Sequence, residues 1–219
     1  MVVVNTTHYD GPHARLVAAL AAGTSSARLR AALAAGTSGD ARLVPAVIAR
    51  CAVEPDFFVR DMLTWALCRM PAAEVVPGVT AELGAAGAQA RSQALHTLSK
   101  IGDRRVYPAV VALLEDDHDE VARSAWRAAV ALVPPGEEAA LAARLARSLG
   151  RGDLDLRRSL SRALVGLGDA AVAAVTAAAA SRDPRVRAHA EATERLRLDP
   201  ESGFAIDYAE RVAATGVQG

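Results

Sequence analysis

Lysine is nearly missing from this chain of 219 residues: Lys100 stands alone, and every other basic residue is Arg or His. Together with an excess of Ala and Val, that scarcity reads as genome composition rather than design. Aromatic residues make up 4% of the chain while hydrophobic residues reach 52%, so Ala, Leu and Val must build the core. Small side chains of that kind suit helices packed at close range. The two cysteines, Cys51 and Cys68, are too few for a disulfide framework or a zinc site. No apolar run reaches the roughly 18 residues of a membrane span, and the Ala-rich run 170–180 reads as one core helix. Residues 1–4 are too short and lack the basic flank of an export signal, so a bacterial, cytoplasmic protein is expected. Excess charge is absent too. The 25 basic and 25 acidic side chains cancel, which argues against a surface coated for nucleic acid but leaves room for a local basic patch. Neither a phosphate-binding glycine loop nor a zinc spacing occurs.

What the chain does have is a repeat. An apolar residue one or two places before an Arg, followed four residues later by a small or apolar one, falls at Val59, Ala90, Val121, Leu156 and Val186, with a weaker copy at Ala27. The steps from Ala27 onward are 32, 31, 31, 35 and 30 residues. Periods of this size with helical patterning mean stacked helix pairs, an α-solenoid.

Six pairs are predicted, at 13–22 with 26–35, 40–53 with 56–70, 73–83 with 89–101, 105–114 with 120–133, 137–149 with 154–167, and 170–181 with 184–196. Gly and Pro punctuate most junctions. Asp56, Asp119, Asp153 and Asp183 stand where an N-cap would serve the second helix of a pair. Residues 1–11 are expected to form an extended segment, 12–198 the solenoid, and 199–219 a capping helix and loose tail. Phe204, Tyr208 and Val212 would make one stripe of that helix, with Ile206 off it.

Several of these segments carry a resemblance. First helices contain Val44-Pro45-Ala46-Val47, Val76-Pro77-Gly78-Val79 and Tyr107-Pro108-Ala109-Val110. Second helices end in Leu98-Ser99-Lys100-Ile101-Gly102-Asp103 and Leu164-Val165-Gly166-Leu167-Gly168-Asp169, and turns read Arg182-Asp183-Pro184-Arg185-Val186-Arg187 and Asp117-His118-Asp119-Glu120-Val121. From about Asp40 to Leu198 the chain resembles the HEAT-repeat family, specifically the HEAT-like repeats of the phycobilisome-lyase type. The resemblance implies an all-α, right-handed α-solenoid with first helices on its convex side and second helices on its concave side. It implies little about activity, because the fold hosts scaffolds, lyase subunits, metal oxygenases and DNA glycosylases.

Counting from the first apolar position of each second helix, offsets 0, 4, 7, 8 and 11 are mostly apolar and cluster on one face. Offsets 2 and 6 lie opposite. They hold Asp61, Ser92, Arg123 and Arg158 at the first level, and Trp65, His96, Arg127 and Arg162 at the second. These eight residues are the candidate partner-binding set, two ladders that end in four arginines. The plain alternative for the arginines is solvated surface. Trp65 either packs on a neighbouring repeat or stands free as an anchor, and Trp126, on the flank, reads as structural. At offset 1, Arg60, Arg91, Arg157 and Arg187 recur with the fold and are expected to bridge to acidic caps of neighbouring turns.

Catalytic signals are thin, and no catalytic residue, cofactor or metal ligand is assigned. His96 has no nucleophile placed beside it. The HEAT-type metal oxygenases carry recurrent His-Glu pairs, and this chain has no His-Glu dipeptide. The acidic run Glu115-Asp116-Asp117-His118-Asp119-Glu120 is explained more simply as a loop that caps the following helix than as a cation site. Two functions are carried forward. One is a non-enzymatic scaffold that holds a partner protein or acidic peptide on its concave face. The other is a DNA-binding protein related to the alkylpurine DNA glycosylases, whose basic groove, aromatics and carboxylate the set Arg123, Arg127, Arg158, Arg162, Trp65 and Asp61 imitates.

Overall fold

The computed structural model describes residues 11–200. The segments 1–10 and 201–219, which hold most of the expected N-terminal extension and the Phe204–Tyr208–Val212 stripe, lie outside the described residues. The described chain is an all-α solenoid of helix pairs, in two compact units divided after Ile101.

In the first unit the pairs are α1 (Pro12–Leu20) with α2 (Ser25–Ser38), α3 (Val44–Val53) with α4 (Phe57–Arg69), and α5 (Ala72–Ala81) with α6 (Ala88–Ile101). The second helices α2, α4 and α6 pack in sequence, as do the first helices α1, α3 and α5. Leu43, Val47, Leu63, Leu67, Val75, Leu95 and Leu98 fill the space between the two layers and are buried. The second unit pairs α7 (Tyr107–Val111) with α8 (Asp119–Leu132), α9 (Glu138–Ala146) with α10 (Leu154–Val165), and α11 (Val172–Ala179) with α12 (Pro184–Leu198). Trp126 of α8 is at its centre with no exposed surface, its indole N–H donating to the Leu114 carbonyl at 2.9 Å.

Two first helices, α3 and α7, begin later than the periodicity predicts. At residues 41–43 and 104–106 the chain makes one 3₁₀ turn, started by Asp40 and Asp103, whose carboxylates accept from the backbone N–H groups of Arg42 and Arg105. The α-helix opens at the prolines that follow, Pro45 and Pro108, in their first turns. Proline has no N–H to give to the preceding turn and its ring crowds the carbonyl four residues back, so the first turn is the helical position that suits it best. Pro77 alone lies inside its helix.

Caps on the second helices come from Asp56, Asp153 and Asp183, each accepting from the first-turn N–H groups. Asp119 does not cap. It is already the first residue of α8, and its carboxylate takes the Arg151 guanidinium at 2.9 Å. Among the described residues no single helix is long and apolar enough to cross a membrane.

Candidate functional site

The offset-1 arginines set the scaffold that presents everything else. Arg60 donates to the carbonyls of Glu54 and Pro55, Arg91 to those of Ala85 and Ala86, and Arg187 to that of Ser181. Arg28 does the same to Ala22 and Gly23. These carbonyls end the preceding helix or its turn and have no intrahelical partner, so a guanidinium five or six residues on satisfies them. Arg60, Arg91 and Arg187 thus bond to backbone carbonyls, a role the expected bridges to acidic caps did not include.

Arg28 also makes a bidentate pair with Glu54, both bonds 2.7 Å long. Glu54 has no exposed surface. Its carboxylate accepts in addition from Arg50 at 2.7 Å and from the Asp56 N–H at 3.0 Å, while its carbonyl takes Gln89 of α6. Burial alone would raise the carboxyl pKa, but the donors from Arg28, Asp56 and Arg50 outweigh it and hold the value down at about 2. Glu54 thus ties α2, α3, α4 and α6 together. Sequence reading passed over it because a Glu before a proline looks like any loop residue.

The face of α4 that carries Asp61 and Trp65 is exposed, and it holds more than the two ladder residues. Phe57 and Phe58, outside the counted offsets, are 66% and 72% exposed and meet edge to face with ring centroids 5.6 Å apart. Phe58 and Trp65 are seven residues apart, two helical turns, which was the signal that would have found this aromatic face. Trp65 itself is both structural and exposed. Its ring lies against Gly36 of α2, the Arg69 guanidinium sits 5.6 Å from the ring centroid, and 37% of the residue faces solvent. On α6 the two ladder residues differ. Ser92 is only 7% exposed, so it has little surface to offer a ligand, while His96 is half-buried. Between them Gln93 donates to Thr64 at 2.7 Å, and Thr64 meets Thr97 at 3.3 Å, joining α4 to α6 through buried hydroxyls. The cavity beside Gln93 and Thr97, of about 10 Å³, is the size of one water. Cys51 lines it, and burial pushes that thiol up to about 12, so it stays protonated.

The four arginines lie in the second unit, on α8 and α10, which pack against each other. Arg123 and Arg127 stand one turn apart on α8, and Arg158 and Arg162 one turn apart on α10. Arg127 and Arg162 are exposed; Arg123 and Arg158 are half-buried. Arg158 is within 3.7 Å of Asp155. Of the other three, Arg123 and Arg162 both lie close enough to act on Arg127. Burial of its guanidinium, and then the charges of Arg123 and Arg162, hold Arg127 below the usual guanidinium pKa. Arg123 has a buried Nε with no hydrogen-bond partner among the described residues. Across unit 2, by contrast, Arg144, Arg151 and Arg197 each hold a carbonyl or carboxylate. The structure therefore joins Arg123, Arg127 and Arg162 into one same-sign cluster. Asp61, Trp65, Ser92 and His96 are distributed over α4 and α6 of the first unit.

Among the described residues no three His, Cys, Asp or Glu side chains gather as metal ligands, the acidic run 115–120 included. Within that run the Asp116 carboxylate accepts from the His118 N–H at 2.9 Å, and Asp119 is committed to Arg151.

Comparison with known proteins gives the following. The family of HEAT repeats matches residues 54–132. Among solved structures the chain is similar to an engineered protein at 16% identity, over 88% of this chain and 100% of that one, with a TM-score of 0.47. It is similar to a second engineered protein at 18% identity, over 83% and 94%, with a TM-score of 0.44. It is also similar to the complex of CpcE and CpcF of phycocyanin lyase from Nostoc sp. PCC7120, at 19% identity over 98% and 99%, with a TM-score of 0.39. No curated protein matches it.

Proposed function

We propose that this chain, whose residues 54–132 match the family of HEAT repeats, is a non-enzymatic scaffold that holds an acidic partner protein or peptide against its second helices. The observation that carries the reading is the cluster of Arg123, Arg127 and Arg162. The charges of Arg123 and Arg162 act against that of Arg127 with no carboxylate paired to the three among the described residues, a repulsion that a bound anion removes. A carboxylate also meets the planar fork of Arg with two parallel bonds. Trp65, with its Gly36-facing side fixed and its remainder open, has the rigidity and surface of an interface anchor. Arg158 belongs to the margin of the arginine surface in the second unit, while Asp61, Ser92 and His96 are proposed contributors beside Trp65 in the first.

The cluster is small, which favours an acidic segment over nucleic acid. In α12 the residues at the matching offsets are Ala188 and Ala192, both buried, so the ladder of cations ends at α10. The first turns of α8 and α10 are acidic, with Asp119, Glu120 and Asp155. A long phosphate backbone that passed the arginines would meet those carboxylates.

The reading is tested by capture from lysate with nuclease present, comparing wild type with Arg127→Glu. A protein retained by the wild type and lost with the variant, at an unchanged melting temperature, supports it. Capture that ignores the substitution removes the arginines from the function. Recovery of nucleic acid alone, released steeply as salt rises, establishes the DNA-binding alternative instead.

A further inference from the structure

Resting on the acidic-partner reading, the geometry points to the form of the ligand: we propose that the α8–α10 face takes an α-helix carrying two carboxylates one turn apart.

The cations occur as two pairs at i and i+4, Arg123 with Arg127 and Arg158 with Arg162, on neighbouring helices. At 1.5 Å per residue each pair spans about 6 Å along its axis, and packed helices lie about 8–10 Å apart. The four guanidinium stems therefore mark two levels, the first with Arg123 and Arg158, the second with Arg127 and Arg162. Carboxylates at i and i+4 of an incoming helix have the same rise, so one acid reaches each level. The second level is the stronger seat. At the first, Arg158 already has Asp155 at 3.7 Å, while Arg127 and Arg162 have no carboxylate among the described residues.

An extended strand repeats its side chains on one face at nearly the same interval, about 6.6 Å, but it brings an unpaired row of N–H and C=O groups. The α8–α10 face consists of side chains on two helices whose backbone groups are already bonded within them, so it has no edge to pair with a strand. A helix brings its own backbone satisfied. Its side-chain ridges can interdigitate with those of α8 and α10 in the way that packed helices do. The acidic first turns of α8 and α10 set the orientation of charge: the ligand's acids sit over the arginines, and positive residues beyond them sit over Asp119, Glu120 and Asp155.

The test uses the full chain and a synthetic alanine-based helical peptide of about 16 residues, long enough to hold helix, with two glutamates at i and i+4. A second peptide of identical composition has them at i and i+2, on different faces of the helix. Titration calorimetry is run with wild type and Arg127→Glu, with inorganic phosphate and a single-stranded oligonucleotide as competitors. The expected result is binding of the i,i+4 peptide about tenfold tighter than its partner peptide, abolished by Arg127→Glu. Equal binding of both peptides, lost in the variant, overturns the helical spacing and leaves the acidic-partner reading standing. Failure of both peptides overturns the proposal, and the reading falls with it if capture of the cellular partner is also indifferent to Arg127→Glu. Displacement of the peptide by phosphate or oligonucleotide at lower concentration reassigns the seat to phosphate.

Discussion

Gly36 of α2 lies under the ring of Trp65 on α4 so closely that a methyl group there would stand 2.8 Å from Trp65 Cε3 and 2.8 Å from the Cα of Ala66. The glycine is in the last turn of α2, where alanine would ordinarily add up to about 1 kcal/mol through helix propensity. Here that gain is opposed by a backbone atom that has no rotamer to escape into. Gly36→Ala is expected to lower stability by about 1–3 kcal/mol, the usual range for overpacking, and to shift the fluorescence of Trp65. A melting temperature equal to or above wild type would show that α2 and α4 are not locked at this distance. The same contact means that Trp65→Ala opens a hole, so binding defects in that variant must be compared at matched folded fraction.

Glu54 makes a second, sharper prediction. Replacement by Gln keeps the shape but removes the charge that faces Arg28 and Arg50. Breaking a buried pair from one side costs about 3–5 kcal/mol, and chemical denaturation reads it directly. Because the folded carboxyl pKa is depressed to about 2 from 4.5, the stability it contributes is whole above pH 4.5 and is lost as pH falls through about 2. Glu54→Gln should lose that part of the acid transition. A variant as stable as wild type would mean the two arginines find other partners.

Period and pattern made the helix pairs legible, because the core face of each second helix recurs at fixed offsets and Leu63, Leu67, Leu95 and Leu98 are buried where the count puts them. The late start of α3 and α7 was not legible from hydrophobicity; it follows from Asp40 and Asp103 making a 3₁₀ turn ahead of a proline. At the candidate site the offsets put Arg123, Arg127 and Arg162 on one side, but no one-dimensional count tells which arginine has a counterion. Arg158 finds Asp155 three residues back, and Arg28 reaches Glu54, 26 residues on, across a repeat boundary. Ser92 shows the limit of the angular argument: it is opposite the core face of its own helix yet is 7% exposed.

His189 is a buried switch for stability. The Gly150 N–H donates to its Nδ1 at 2.9 Å, so the proton is on Nε2, which faces the Arg157 carbonyl at 3.0 Å and the Ser161 hydroxyl at 3.1 Å. Ser161 then meets Thr193 at 2.6 Å, and Thr193 returns its proton to the His189 carbonyl at 2.9 Å. Every group is satisfied only while the ring is neutral. Burial, aided by the Arg157 charge and resisted by its carbonyl, lowers the pKa from 6.5 to about 4. The unfolded chain binds the proton first, so stability is full above pH 6.5, falls as pH drops, and levels off below 4. The loss is about 3 kcal/mol. Denaturation between pH 7 and 4 should show this slope in wild type and not in His189→Asn, and an imidazole resonance titrating near 6.5 would contradict the assignment.

Two arginine substitutions should move stability in different directions, and the contrast isolates function from architecture. Arg28→Gln abandons the Glu54 carboxylate and two carbonyls, so it lowers the melting temperature. Arg127→Gln removes a charge repelled by Arg123 and Arg162, so stability stays within about 0.5 kcal/mol of wild type, as for ordinary surface changes, or rises. A multivalent carboxylate then separates the two roles. Citrate that settles on the cluster binds only the folded state and raises its melting temperature with concentration. The shift should be present in wild type and in Arg28→Gln, and diminished in Arg127→Gln. An identical citrate shift in all three proteins would mean that the cluster is not where the anion binds, and that the three arginines are ordinary solvated surface.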